Sequence, residues 1–298
     1  MRLLQDSRAS STHSTYFTAI NAFGEFCSEY QYDNRVPPNV ERIAQFISYL
    51  SLRGYAASTV QTYISGLSFH LQMAGLEDVT KGFVVLCLLE GCKRGNVSRD
   101  TRCPITLPLL GQMLGALKFV CKSDYEMHMY SAAFLVAFYG FLRVGEFTVN
   151  SRQHDGQQLG GSDVSVIGEV PNRKVVLRLR SSKTDQRGKG CLIYIPEVHS
   201  EFCPVKAVIA YMSCRPSVGH AFFQSFGAFP LTRYEFTKMI KSCMKFWSLP
   251  TERFSSHSFR IGAATSAAMS GCTDGQIQSM GRWASNTFRR YIRIDMVV

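Results

Sequence analysis

The 298-residue sequence has no hydrophobic run long enough to cross a bilayer: its most apolar stretch, 132–142, falls well short of the roughly 20 residues a spanning helix requires. The opening segment MRLLQDSRAS lacks the apolar centre of a secretory signal, so export is not expected. Cysteine is present ten times but never as a Cys-x-x-Cys pair. Even Cys87 and Cys92, the closest two, have no histidine pair at zinc-finger spacing nearby. In a chain of this length, such scattered cysteines are read as plain thiols in a reducing, intracellular compartment, which would be nuclear in a eukaryote. Internal repeats and low-complexity segments are absent. Acidic side chains are the scarcer sign, 22 against 33 basic, for a net charge of +11.

A hydrophobic content of 46% supports a packed core and excludes a disordered or fibrous chain. The length allows one large domain or two smaller ones. The first hundred residues carry nine basic and nine acidic side chains, so the whole positive excess lies beyond Asp100. An excess of that size points to a polyanionic partner, most often nucleic acid. Its densest part is Arg173, Lys174, Arg178, Arg180, Lys183, Arg187 and Lys189, interrupted only by Asp185. The flanks Val175–Leu177 and Leu192–Ile195 read as two short strands, which makes the run a β-hairpin with a cationic tip.

The first hundred residues read as helices. Ser14 is the expected cap of the first, which carries Phe17, Ile20, Phe23, Phe26 and Cys27. Pro37 and Pro38 break the chain. Ile43, Phe46, Ile47 and Leu50 then form an i, i+3, i+4, i+7 stripe that Gly54 ends. Ser58 with Gln61 reads as a capping box before the stripe Val60, Ile64, Leu67 and Leu71, closed by Gly75. A fourth helix is expected over 83–93. The polar, Pro-terminated stretch 95–104 is the best linker candidate. The expected organisation is therefore a helical domain over 1–94, a linker over 95–104 and a larger, mainly α domain over 105–298 with a small antiparallel β element. The larger domain is expected to hold helices over 107–118, from the apolar stretch to about Phe147, and over 204–212, with mostly helix after Thr232.

Four local patterns carry chemistry. Arg143 stands at the end of an apolar helix, where a guanidinium requires a partner. Glu146, three residues on, is the candidate. Lys183 sits at the hairpin tip. His257-x-x-Arg260 leads into a helix of small residues. Gly281-Arg282-Trp283 precedes Arg289-Arg290-Tyr291-Ile292-Arg293. Each pattern alone has a structural explanation.

In this order and spacing, the four together resemble the signature of the tyrosine recombinases, the phage-integrase family. The segment STVQTYISGL (58–67) is similar to the helical, SAM-like core-binding domain of that family. The pairing of Gly-Arg-Trp with Arg-Tyr-Ile-Arg looks most like recombinases of eukaryotic mobile elements of the DIRS and Crypton type. The resemblance implies a core-binding domain followed by a catalytic domain, acting on double-stranded DNA with self-association as a dimer or tetramer. It implies site-specific strand cleavage and rejoining through a 3′-phosphotyrosyl intermediate. No cofactor, metal or ATP is expected. The lack of an Asp-x-Asp or clustered-carboxylate motif fits that expectation. Two other readings stay open: an inactive DNA-binding protein of recombinase ancestry, and a type IB topoisomerase-like enzyme.

The roles carry over residue by residue. Tyr291 is the nucleophile. A phenol, with an ordinary pKa near 10, needs a cationic site and a proton acceptor. Arg143 and Arg260 grip non-bridging phosphate oxygens through their planar forks. Lys183 is the general acid for the leaving 5′-oxygen, and His257 accepts the tyrosine proton or bonds the phosphate. Arg180, Arg187, Lys189, Arg282 and Arg290 are expected at the DNA. Most family members place His or Trp directly after the glycine ten residues before the nucleophile. Here Arg282 holds that place, and Trp283, one residue later, is assigned its role. Seven residues follow Tyr291, where relatives often carry a further helix that docks into a neighbouring subunit.

Overall fold

The computed structural model describes residues 7–33, 37–95, 100–151, 156–181, 185, 188–225 and 227–298, apart from the side chain of Ser10. Lys183 and Arg187 lie outside the described residues. The chain divides into two compact units, Met1–Asp100 and Thr101–Val298. The fold is mainly α with one small antiparallel sheet.

The first unit holds α1 (Ser10–Glu29), α2 (Val40–Leu52), α3 (Ala57–Met73) and α4 (Phe83–Gly95). The expected stripes of α2 and α3 are buried. Asn39 caps α2 by accepting the Arg42 N–H at 2.8 Å, relieving one of the unpaired donors of a helix start. Two caps differ from the sequence reading. Helix α1 starts at Ser10 rather than after Ser14, and α3 starts at Ala57, so Ser58 lies inside it and the capping box is not formed. In both, an alanine in extended conformation precedes the first turn, and no side chain caps it. Phe17 is 64% exposed and stands outside the core that Phe26 and Phe46 build. That follows from α1 packing chiefly on α3, which buries Ala19 on the face away from Phe17.

Asp78 ties the turn after α3. Its carboxylate accepts from Ser68 Oγ at 2.7 Å, Gln72 Nε2 at 2.7 Å and Thr80 Oγ1 at 2.6 Å. Burial alone would raise its pKa. The hydrogen bonds from Thr80, Ser68, Gln72 and Lys81 reverse that and hold it well below the usual carboxylate range. A lowered folded-state pKa contributes stability that is present above the unfolded value near 4 and is lost as pH falls. Acid unfolding followed by circular dichroism is expected to begin below about pH 4 and to flatten in Asp78→Asn, since that variant has no carboxylate to protonate there.

The second unit holds α5 (Leu107–Val120), α6 (Asp124–Tyr139), β1 (Val164–Ile167), β2 (Lys174–Leu179), β3 (Cys191–Pro196), α7 (Pro204–Cys214), α8 (Arg233–Phe246), α9 (Ser258–Met269) and α10 (Asp274–Met280). The strands run in order β1-β2-β3, with Leu177 opposite Val164 on one side and Ile193 on the other. The central strand buries Val175, Leu177 and Leu179. β2 and β3 are the hairpin arms expected from the sequence. The edge strand β1 is an addition, four residues long.

Helix α6 stops at Tyr139, not near Phe147. Gly140 caps it, Phe141 turns left-handed (φ 48°), and a 3-10 turn spans Val144–Glu146. Arg143 and Glu146 are therefore partners across a tight turn rather than along an α-helix.

Cys103 and Pro104, at the far end of the expected linker, are built into this unit together with Ile105. Cys103 N–H donates to Arg253 O at 2.7 Å and Ile105 N–H to Ser258 O at 3.0 Å. They cross α9 so closely that a Cβ on Gly262 would lie 1.8 Å from the Ile105 carbonyl oxygen. The small residues of α9 thus allow a backbone to lie against the helix that carries Arg260. Gly262→Ala forces backbone apart and is expected to lower stability by about 3 kcal/mol, read by chemical denaturation, although alanine is the better helix former.

Candidate active site

Three segments of the second unit converge on one point. The turn 141–146 brings Arg143 and Glu146. The start of α9 brings His257 and Arg260. The segment after α10 brings Gly281, Arg282 and Trp283, followed by a 3-10 helix, Asn286–Tyr291, that ends on the tyrosine.

Arg260 is fully buried. Its Nη1 donates to Phe141 O and its Nη2 to Gly281 O, so one guanidinium joins two of the three segments. Its charged plane lies over the Trp283 ring, 4.2 Å from the centroid, a cation–π contact strengthened by exclusion of water. Burial, then the neighbouring Arg143 and Arg282, lower its pKa to about 9, which leaves it cationic at neutral pH.

Glu146 is buried and holds the opposite side. Its Oε1 accepts from Arg143 Nη1 at 3.2 Å. Its Oε2 accepts from the Arg143 backbone N–H at 2.9 Å and from Arg282 Nη2 at 3.0 Å. Two guanidiniums thus share one carboxylate, with the cationic Arg260 beside them, and the local charge is net positive, suited to an anion. Arg143 is 20% exposed, which leaves part of its fork at the surface.

Tyr291 completes the group. Its ring lies 5.1 Å from that of His257, 5.0 Å from that of Trp283, and 5.8 Å from the Arg260 guanidinium carbon. The tyrosine is held from behind. Thr265 Oγ1 donates to Tyr291 O at 3.1 Å and accepts from Arg293 N–H at 3.0 Å. Arg293 Nη1 donates to Arg102 O at 2.7 Å. Thr265 and Arg293 are supports that the sequence reading missed. A threonine among the alanines of α9 carries no signal of this task; only its distant partners reveal it.

Trp283 and Arg282 point to different partners. The indole is buried against Arg260, Tyr291, Phe141 and Phe288. It also covers Gly281, where a Cβ would fall 1.6 Å from the ring. Arg282 instead reaches Glu146 and the carbonyls of Gly140 (2.9 Å) and Phe141 (3.3 Å). Of the other expected cations, the three that are described, Arg180, Lys189 and Arg290, lie outside this group of contacts. Arg180 pairs with the buried Asp163, Nε to Oδ1 at 3.1 Å. Lys189 N–H donates to Asp185 Oδ1 at 3.2 Å, and Arg290 is exposed.

Solved structures share this architecture. XerH site-specific recombinase bound to palindromic difH substrate superposes with a TM-score of 0.67 at 17% identity, over 95% of this chain and 76% of that one. A λ integrase dimer bound to a COC′ core site gives 0.63 at 16%, over 95% and 72%. The chain has the tyrosine-recombinase fold. The Tn1549 transposon integrase in complex with transposon right end DNA adds a third recombinase match, 0.60 at 12% identity over 95% and 89%. No protein-family model matches the sequence, and no curated protein is similar to it in sequence. The tyrosine-recombinase likeness is therefore one of fold. No helix among the described residues is long and apolar enough to cross a membrane.

Proposed function

We propose that the chain is a site-specific tyrosine recombinase that cleaves and rejoins double-stranded DNA. The observation that carries this reading is the convergence of Tyr291, His257 and the buried Arg260 within one chain, beside Arg143 and its carboxylate. The phenolic oxygen of Tyr291 attacks a DNA phosphorus, and the bond to the 5′-oxygen breaks. The tyrosine proton passes to His257. The leaving 5′-oxygen takes a proton from Lys183, the general acid by family resemblance, which lies outside the described residues. The products are a 3′-phosphotyrosyl protein and a free 5′-hydroxyl. The phosphodiester energy is kept in the new ester, so reversal needs no ATP.

Arg143 stabilises charge on the pentacoordinate phosphorus through its preorganised donors, and the buried Arg260, whose Nη groups are held by the carbonyls of Phe141 and Gly281, adds its positive charge from behind, an effect of about 3 kcal/mol, or 100-fold in rate, for each such group. Trp283 stacks on Arg260 and packs against Tyr291, the place family resemblance gives to a His or Trp. Duplex is held by the helical first unit together with the basic second unit, where Arg180, Arg187, Lys189 and Arg290 meet phosphates. Binding is accordingly strongly salt-dependent. Copies associate on DNA, and the resemblance of the Gly-Arg-Trp…Arg-Tyr-Ile-Arg pattern supports a mobile-element recombinase.

The test is a set of nicked suicide duplexes drawn from the DNA that flanks the coding sequence, incubated without metal or ATP. A denaturing gel is expected to show a covalent protein–DNA adduct with some of these duplexes and none with shuffled sequence. Absence of adduct on every duplex would favour the inactive DNA-binding reading. Relaxation of any supercoiled plasmid, whatever its sequence, would favour the topoisomerase reading.

A further inference from the structure

We propose that Arg282 is a positioning residue: it fastens Glu146 and the end of α6, and through them aims Arg143 and Arg260, rather than gripping a DNA phosphate itself. The inference rests on the recombinase reading of the site.

The backbone decides which way Arg282 faces. Its φ of 54° is left-handed, a conformation a side chain with a Cβ rarely adopts. The turn sends Trp283 back over Gly281 and onto Arg260, while Arg282 leaves on the other side. There its two Nη atoms find three acceptors: Gly140 O, Phe141 O and Glu146 Oε2. Its Nε is buried as well, and the side chain is only 18% exposed.

Those acceptors have a common character. Gly140 and Phe141 are where α6 breaks off, so their carbonyls sit at the negative end of the helix dipole, where a cation is favoured. Glu146 Oε2 is shared with the Arg143 backbone N–H, and Phe141 O is shared with Arg260 Nη1. Arg282 therefore touches both arginines through one shared acceptor each. With Oε2 bound to Arg282, Glu146 meets the Arg143 guanidinium through Oε1 alone, on one nitrogen. That keeps the carboxylate from closing on Arg143 with both oxygens.

The proposal separates cleanly from a phosphate contact. A residue that neutralises a phosphate releases counterions, so its loss lowers the slope of log affinity against log salt by about one. A positioning residue leaves that slope unchanged and slows the chemistry, roughly 100-fold for a displacement near 1 Å. Wild type, Arg282→Gln, Arg282→Lys, Glu146→Gln and the Arg282→Gln/Glu146→Gln pair are compared on a short fluorescent duplex of arbitrary sequence across a salt series. Single-turnover cleavage of a duplex that gives the wild-type adduct is measured alongside.

The expected result is an unchanged salt slope in all four variants, with cleavage at saturating protein reduced roughly 100-fold in Arg282→Gln. Arg282→Lys restores little, because an ammonium cannot bridge three fixed acceptors. The double variant is expected to be no slower than the slower single variant, the signature of residues acting as one unit. A salt slope lower by about one in Arg282→Gln, with cleavage of the bound complex unchanged, would overturn the proposal. Additive rate losses with Glu146→Gln would overturn it too. If Arg282→Gln does not fold, Arg282→Lys, which keeps the charge, is read by cleavage alone: a loss near 100-fold supports the brace, and wild-type cleavage of the bound complex overturns it. If wild type gives no adduct on any duplex, it is the recombinase reading that fails. The double-mutant cycle in thermal stability then decides the brace by itself: coupling supports it, and additivity rejects it.

Discussion

Tyr291→Phe is expected to remove the covalent protein–DNA adduct completely while leaving duplex affinity within about 2-fold, a change of less than half a kcal/mol. The contrast follows from which atoms the substitution deletes. The contacts of Tyr291 with His257, Trp283 and Arg260 are ring contacts that phenylalanine retains. Its other anchor, the bond from Thr265 Oγ1, is to the main-chain carbonyl and is likewise kept. Only the phenolic oxygen goes, and with it the atom proposed to attack phosphorus. No other tyrosine is placed among Arg143, His257 and Arg260 in the described residues, so no neighbour can take over. The check is a denaturing gel of the suicide-duplex reaction beside an equilibrium binding curve. An adduct formed by Tyr291→Phe would assign the nucleophile elsewhere.

Arg260→Ala and Arg143→Ala are expected to separate two roles that the sequence pattern treats alike. Both should cut single-turnover cleavage by at least about 100-fold, since each removes a preorganised cation from the proposed phosphate site. They differ in stability. Arg260 is fully buried, and its two Nη groups satisfy the carbonyls of Phe141 and Gly281. Its loss leaves both acceptors unpaired, removes the ion stacked on Trp283 and opens a cavity. Hydrogen bonds from charged donors are worth about 1.5–3 kcal/mol each, so a total near 4 kcal/mol is expected. That corresponds to a fall in Tm of roughly 10 °C for a unit of this size. Arg143 is partly exposed, and its side chain makes one bond, to Glu146. Arg143→Ala should move Tm by no more than about 3 °C. Calorimetry beside cleavage kinetics reads both. Equal thermal losses in the two variants would reject the division between a buried keystone and a surface-facing phosphate ligand.

The helical stripes were legible because burial on one face of a helix imposes its own period on the sequence. Ile43, Phe46, Ile47 and Leu50, like Val60, Ile64, Leu67 and Leu71, are buried as that period requires. Phe17 had the right spacing but the wrong face, since periodicity gives a helix a stripe without saying where the neighbouring helix lies. Ser14 and Ser58 are residue types that cap helices, yet each helix extends past its serine, because α1 and α3 pack on each other and tertiary contact outweighs a local cap. Strand β1 gave no warning. Four residues at a sheet edge hold too little pattern to separate from a loop, and it is pairing with β2 that makes them a strand.

In the site, sequence determined the inventory: the order Arg143, Glu146, His257-x-x-Arg260, Gly281-Arg282-Trp283 and Tyr291, and the charge that must find partners there. It also determined the excess of cations there, Arg143, Arg260 and Arg282 against the one carboxylate of Glu146. Sidedness was beyond it. Only tertiary structure decided that Trp283 turns toward Arg260 and Tyr291 while Arg282 turns toward Glu146, because the choice depends on a left-handed backbone at Arg282 and on carbonyls about 140 residues away in the chain. A side chain's identity is a local property. Its partner is set by where distant segments come to rest, and that is fixed by packing the whole unit at once.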